Sequence, residues 1–193
     1  MIGTLPMRAL APLDYRYALD AARTLIGSDP PLVRCDVPNL IDEVIQRFPH
    51  RSKTAAHSAL WIEPLRHSWR ATLAALATDL PCGAPLVIIA SRPLARLVPE
   101  RQRWGGDPIG MRIHGLTLLQ HGLHRAGFEL AEQYGIHSVA SIVTSMIGQQ
   151  MDRRKRPELA DRLGFAARLR YCTNGSTRSL STVALLVARK EAR

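Results

Sequence analysis

The segment that most constrains this chain is residues 58–91, SALWIEPLRHSWRATLAALATDLPCGAPLVIIAS, which reads as a strand, a helix, a Pro-Cys-Gly stop and a second strand. The run Pro85–Ala90 is apolar without alternation, so it must be covered on both faces, which is the pattern of a parallel sheet. The fold class that follows is α/β, with a mainly parallel, doubly wound sheet and helices on both faces. An absence upstream constrains the chain as strongly. A nucleotide-binding sheet of this kind carries a glycine-rich turn after its first strand, because only glycine lets the backbone approach the ligand closely. Before Gly83 the sequence contains only Gly3 and Gly27, so no G-x-G-x-x-G can be written there.

The flanking sequence extends the same pattern. Tyr15, Leu19, Ala22 and Ile26 stand at helical spacing, and Gly27-Ser28-Asp29-Pro30-Pro31 ends that helix. Leu32–Val37 reads as a buried strand with Asp36 at its C-terminal end, followed by an amphipathic helix near Leu40–Phe48. Pro49–His57 is a polar loop, Ala59–Ile62 a strand and Ser68–Leu80 a helix. Ser91–Gly110, rich in Pro, Arg and Gly, is expected as a long irregular connection at the edge where α/β proteins build their sites, with Trp104 a candidate ligand lid. A helix from about Ile113 to Arg125, a strand Phe128–Tyr134, a helical region Ser138–Arg170 and a final strand Ser181–Ala188 complete the reading. It gives one domain over 1–193, with a helical insertion at about 136–171.

Composition narrows the classes of function. The chain is 46% hydrophobic with a mean hydropathy of −0.06, and its apolar runs fall far short of the roughly 20 residues that span a bilayer. No secretory signal is legible at the N-terminus, so a cytoplasmic protein without a membrane partner is expected. Cys35, Cys82 and Cys172 stand far apart and are odd in number, which argues against a disulfide framework or a zinc cluster and predicts reduced packing residues. Residues 151–193 hold eleven Lys and Arg against four Asp and Glu, a net +7 of the chain's +10. Such a basic end admits nucleic acid as a partner. With aromatics at 5% and none interleaved with Arg153–Arg156, a solvated helix face is the favoured reading of that cluster.

The order strand, helix, Gly, strand at 59–90, then a helix, a strand opening Gly127-Phe128-Glu129, an inserted helical stretch and a last apolar strand before Ala188-Arg189-Lys190, resembles the later part of class I S-adenosylmethionine-dependent methyltransferases. LAALATDLPCGAPLVIIAS and STVALLVARK carry most of the likeness, which spans roughly residues 30–190. The resemblance implies an incomplete methyltransferase-like Rossmann fold whose last strand is antiparallel. It further implies S-adenosylmethionine as cofactor, Asp36 and Val37 as adenine-side positions, and Ile62-Glu63-Pro64 as the place where the central strand meets cofactor and acceptor. Because the family's first strand and glycine-rich turn find no counterpart, the chain is expected to bind the cofactor weakly or not at all. A homodimer, or a partner chain that completes the sheet, is expected at the exposed Leu32–Val37 edge. Two other readings stand beside the enzyme: a non-catalytic binding or scaffold relative, and a basic RNA-associated protein.

Individual residues are weighed on their own chemistry. Glu63 at a strand end is a candidate general base or acceptor-orienting acid; the structural alternative is a helix cap or a pair with Arg66. Asp36 is a candidate acceptor for a ribose hydroxyl or adenine amine, or else the N-cap of the next helix. Trp61 is a candidate cofactor neighbour, with a core role as its alternative. His114, His121 and His124 share a helical face. Seven residues at 1.5 Å rise separate His114 from His121 by about 10 Å, so no shared metal is expected. Ser91 lacks a G-x-S-x-G elbow, which argues against a hydrolase nucleophile.

Overall fold

The computed structural model describes residues 13–27, 29–37, 40–48, 56–97, 106–136 and 181–192. In chain order these form α1 (Leu13–Ile26), β1 (Leu32–Cys35), α2 (Ile41–Arg47), β2 (Ala59–Ile62), α3 (Trp69–Asp79), β3 (Pro85–Ser91), α4 (Gly115–Arg125), β4 (Phe128–Ile136) and β5 (Val183–Lys190). Two short 3-10 turns, Pro93–Leu97 and Ile109–Met111, lie in the connection after β3. The expected helical region 138–170, Trp104, Cys172 and the Arg153–Arg156 cluster all fall outside the described residues.

The strands form one sheet in the order β1-β2-β3-β5-β4. β1, β2 and β3 are parallel neighbours, with Val33 beside Leu60 and Leu60 beside Val87. β5 runs antiparallel to both β3 and β4, so four strands share one direction and the last strand opposes them. This is the expected mainly parallel sheet with an antiparallel last strand.

Side-chain alternation along the strands divides the core into two layers. On one face Leu60, Ile62, Val87, Ile89 and Leu185 pack with Ala18, Leu19 and Ala22 of α1 and with Val44 of α2. On the other, Trp61, Leu86, Ile88 and Leu186 pack with Leu73 and Leu76 of α3 and with Leu119 and Leu123 of α4. Every residue of β2 is buried, as is all of β3 after Pro85, which is why these strands read as unbroken apolar runs.

Local chemistry sets the element ends. Gly27 and Gly83 adopt positive φ, where glycine carries no steric cost, and stop α1 and the turn before β3. β5 continues past its apolar run to Lys190, whose ammonium donates to the carbonyl oxygens of Ala77 and Leu80 at the C-terminus of α3. A cation there satisfies orphan carbonyls and the negative end of the helix dipole. Among the described residues no helix is long and apolar enough to cross a membrane.

Candidate functional site

The carboxyl ends of β1, β2 and β3 converge, and each contributes a polar residue: Asp36, Glu63 and Ser91. The helix after β1 packs on one face of the sheet and the helix after β2 on the other. Connections that leave neighbouring strand ends for opposite faces open a crevice between them, and in open α/β sheets ligands bind outside the carboxyl ends of the strands. Asp36 stands on one side of this crevice and Glu63 on the other.

Asp36 is half-buried. Its Oδ2 accepts from the Trp61 indole Nε1 and from the backbone N–H of Leu65, both at 3.3 Å. It is not the cap of α2, which begins at Leu40 without a side-chain cap bond. Trp61 is fully buried in the layer beneath α3 and α4, so its indole holds the Asp36 carboxylate from inside the core. Val37 is buried as well, and its carbonyl accepts the Cys35 thiol at 3.3 Å.

Glu63 is fully buried and has φ +52°, a left-handed backbone rarely adopted by a residue with a side chain. Its Oε1 accepts the Ser91 backbone N–H at 2.8 Å and the Ser91 hydroxyl. The Glu63 backbone N–H donates to Ile89 at 2.8 Å, so β2 and β3 are tied by main chain and side chain at once. Neither structural alternative for Glu63 takes this form: Arg66 lies 3.8 Å from Asp107, and the Ser68 N-cap of α3 has no side-chain bond. Backbone strain of this kind persists where the surroundings over-determine it, and it clusters at functional sites.

The roof comes from the segment after β3. Ile109 N–H donates to Pro64 at 2.8 Å, Arg66 N–H to Asp107 at 2.9 Å, and Leu65 and Pro108 form an isolated bridge. Gly110 allows this docking, since a Cβ there would lie 2.2 Å from the Ser91 carbonyl oxygen. Arg112 donates to Asp107 at 2.8 Å and holds its carboxyl below the ordinary value, helped by the charges of Arg112, Arg66 and Arg96.

Electrostatically the crevice is acidic within a basic chain. The Cys35 thiol is pushed up to about 11, chiefly by burial, opposed by its bond to Val37 and reinforced by the carboxylates of Asp36 and Glu63. It is therefore a neutral thiol at neutral pH and no nucleophile. Cys82 is exposed, a correction to its expected packing role: it sits in the Pro81–Gly83 turn, outside both core layers. His114, His121 and His124 line the outer surface of α4 and its start, and among the described residues no three His, Cys, Asp or Glu side chains converge on a point.

The structure thus brings together Asp36, Val37, Trp61 and Glu63 at one end of the sheet, and adds Ser91 as the partner of Glu63. Sequence reasoning missed that partnership because the two residues are 28 apart and share no motif; the one signal was that both follow apolar strands directly.

No family model and no curated protein matches the sequence. Solved structures do. The mycolic acid cyclopropane synthase CmaA1, in a structure complexed with SAH and CTAB, aligns at TM-score 0.50 and 12% identity over 91% of this chain and 84% of that one. The CcbJ methyltransferase from Streptomyces caelestis aligns at TM-score 0.48 and 12% identity over 97% and 94%. The [4+2]-cyclase SpnF aligns at 0.47 and 16% over 92% and 82%. At these identities the likeness concerns architecture alone. A mixed five-stranded sheet with β5 inserted antiparallel between β3 and β4, covered by helices on both faces, is a Rossmann-like fold, the architecture shared with the cyclopropane synthase CmaA1.

Proposed function

We propose that this chain is a cytoplasmic transferase of the S-adenosylmethionine-dependent methyltransferase type, or a relative lacking part of the cofactor site, whose crevice lies between the ends of β1 and β2. The observation that carries the reading is the pair of carboxylates, Asp36 and Glu63, at the neighbouring carboxyl ends of β1 and β2 in a Rossmann-like sheet. The chemistry of the donor set fits. A sulfonium cofactor with an amino-acid tail is cationic, and the crevice offers acidic acceptors in a chain of net charge +10.

When bound, the cofactor supplies an electrophilic methyl group. Asp36 is the residue that would hold it, through Oδ1, since Oδ2 is occupied by Trp61 and Leu65. Trp61 fixes the direction of that carboxylate from the core. Glu63 is buried and bonded to Ser91, which favours an orienting role for it over that of a base exposed to an acceptor. The glycine-free turn after β1 supplies fewer backbone contacts than a glycine-rich one, and each lost hydrogen bond removes about 0.5–1.5 kcal/mol of affinity.

Ultraviolet crosslinking with methyl-labelled S-adenosylmethionine, followed by peptide mapping, tests the placement. Label is expected on peptides containing residues 32–37 and 61–66, and to be competed by S-adenosylhomocysteine. Label confined to other peptides would refute the site.

A further inference from the structure

The outer edge of β1 is unpaired among the described residues, and its main-chain groups can be assigned. Leu32 N–H donates to Ser58 and Asp36 N–H to Ile62, so the even-numbered residues of β1 bond inward to β2. By alternation, the N–H and C=O groups of Val33 and Cys35 point outward. Such an edge is a template for another strand.

A groove of about 670 Å³ runs along this edge, lined by Val33, Asp36, Ile41, Ile45, Ala71 and Ala75. Ile41 and Ile45 stand one turn apart on α2, and they are 38% and 52% exposed. Large aliphatic side chains left open beside an open strand are uncommon on a monomer surface.

We propose that this edge joins a second copy of the same chain, β1 against β1 antiparallel, in a register centred on Cys35. Charge selects both partner and register. Centring the pair on Arg34 would set two guanidinium groups directly opposite each other, which is destabilising. Centring on Cys35 sets Cys35 opposite Cys35 and Val33 opposite Val37, so the outward main-chain groups exchange hydrogen bonds. It also sets Arg34 opposite Asp36 of the second copy, twice by symmetry. These even-numbered positions form the closer, non-hydrogen-bonded pairs, with Cα atoms about 4.5 Å apart. Arg34 is exposed, and in the cofactor-free chain Asp36 has Oδ1 open to it; a cofactor held through the same atom competes with this pair. A two-fold axis perpendicular to the sheet places both α2 helices on the same face, so Ile41 and Ile45 of the two copies cover one another. The contact is isologous and closes as a dimer.

Light scattering on the full chain, coupled to size exclusion, tests this. Wild type is expected at twice 21.4 kDa. Arg34→Asp and Asp36→Arg should each shift the population to monomer, and the double swap Arg34→Asp/Asp36→Arg should restore the dimer. Val33→Pro provides a second line, because it removes an outward N–H and leaves the inward ladder to β2 intact; circular dichroism confirms its fold, and it should be monomeric. A wild-type monomer at high concentration, whether its edge is bare or covered by its own chain, overturns the proposal. So does a dimer that persists in both Arg34→Asp and Val33→Pro.

Discussion

The carboxylate of Glu63, at the end of β2, accepts both the backbone N–H and the hydroxyl of Ser91, at the end of β3. This contact joins the two strands at the mouth of the crevice and holds Glu63 in its left-handed conformation. Replacing Glu63 with Ala leaves a buried N–H without its acceptor, which costs about 1–3 kcal/mol. Glu63→Gln keeps an acceptor oxygen and should lose less. Urea unfolding of both variants checks the order; an Ala variant within about 0.5 kcal/mol of wild type would contradict it.

Gly110 is the second control point of the mouth. A Cβ at that position would lie 2.2 Å from the Ser91 carbonyl oxygen, a backbone atom that cannot step aside. Gly110→Ala should therefore lower stability by about 1–3 kcal/mol, as overpacking does. Increased hydrogen exchange is expected at the amides of Arg66 and Ile109, which tie this segment to the β2 end.

Lys190 caps α3 from the end of β5, with its Nζ 2.5 Å from the Leu80 carbonyl. Lys190→Met retains the aliphatic stem and removes the charge. The expected loss is about 1 kcal/mol, read from thermal unfolding at low salt. An unchanged midpoint would mean that the carbonyls of Ala77 and Leu80 are satisfied equally well by water.

Cys35 and Cys82 should differ in reactivity toward iodoacetamide. The Cys35 thiol is raised to about 11 by burial, so at pH 8 it holds almost no thiolate and should react slowly, with the rate climbing until the pH passes about 11. The exposed Cys82 should be modified first. The same shift has a stability consequence with a definite sign. The folded chain keeps its Cys35 proton at pH values where the unfolded chain has lost it, so the contribution is complete below the ordinary thiol value of 9.0 and is lost between there and about 11. Mass spectrometry of the alkylated chain gives both rates.

Most of the fold was legible because each described element carries its own period. β2 and β3 were read within a residue of their observed ends, since a strand covered on both faces leaves an unbroken apolar run. α1 and α3 were framed by breakers at Gly27 and Pro81, and the positions of Asp36 and Glu63 at strand ends followed from those boundaries. Relationships between distant residues left no such mark. Nothing in the sequence shows that α2 covers the face opposite α3, because Val44 and Leu73 are equally apolar and a hydrophobic stripe does not name its partner. The Trp61 bond to Asp36 spans 25 residues, and the positive φ of Glu63 has no compositional sign, as glycine was not used there. β4 runs to Ile136, two residues beyond the predicted Tyr134, through a register shift between Leu130 and Glu132 that breaks the alternation the sequence reading relied on.

Calorimetric titration of S-adenosylmethionine into the full chain, beside Asp36→Ala, tests the central claim most directly. The acidic crevice predicts saturable binding with a dissociation constant of about 0.1–1 mM, weak because the turn after β1 lacks glycine, and a loss of roughly tenfold or more in Asp36→Ala, which removes a charged acceptor. Absence of saturable heat at millimolar cofactor, or equal affinity in wild type and variant, would contradict the placement of the cofactor between β1 and β2.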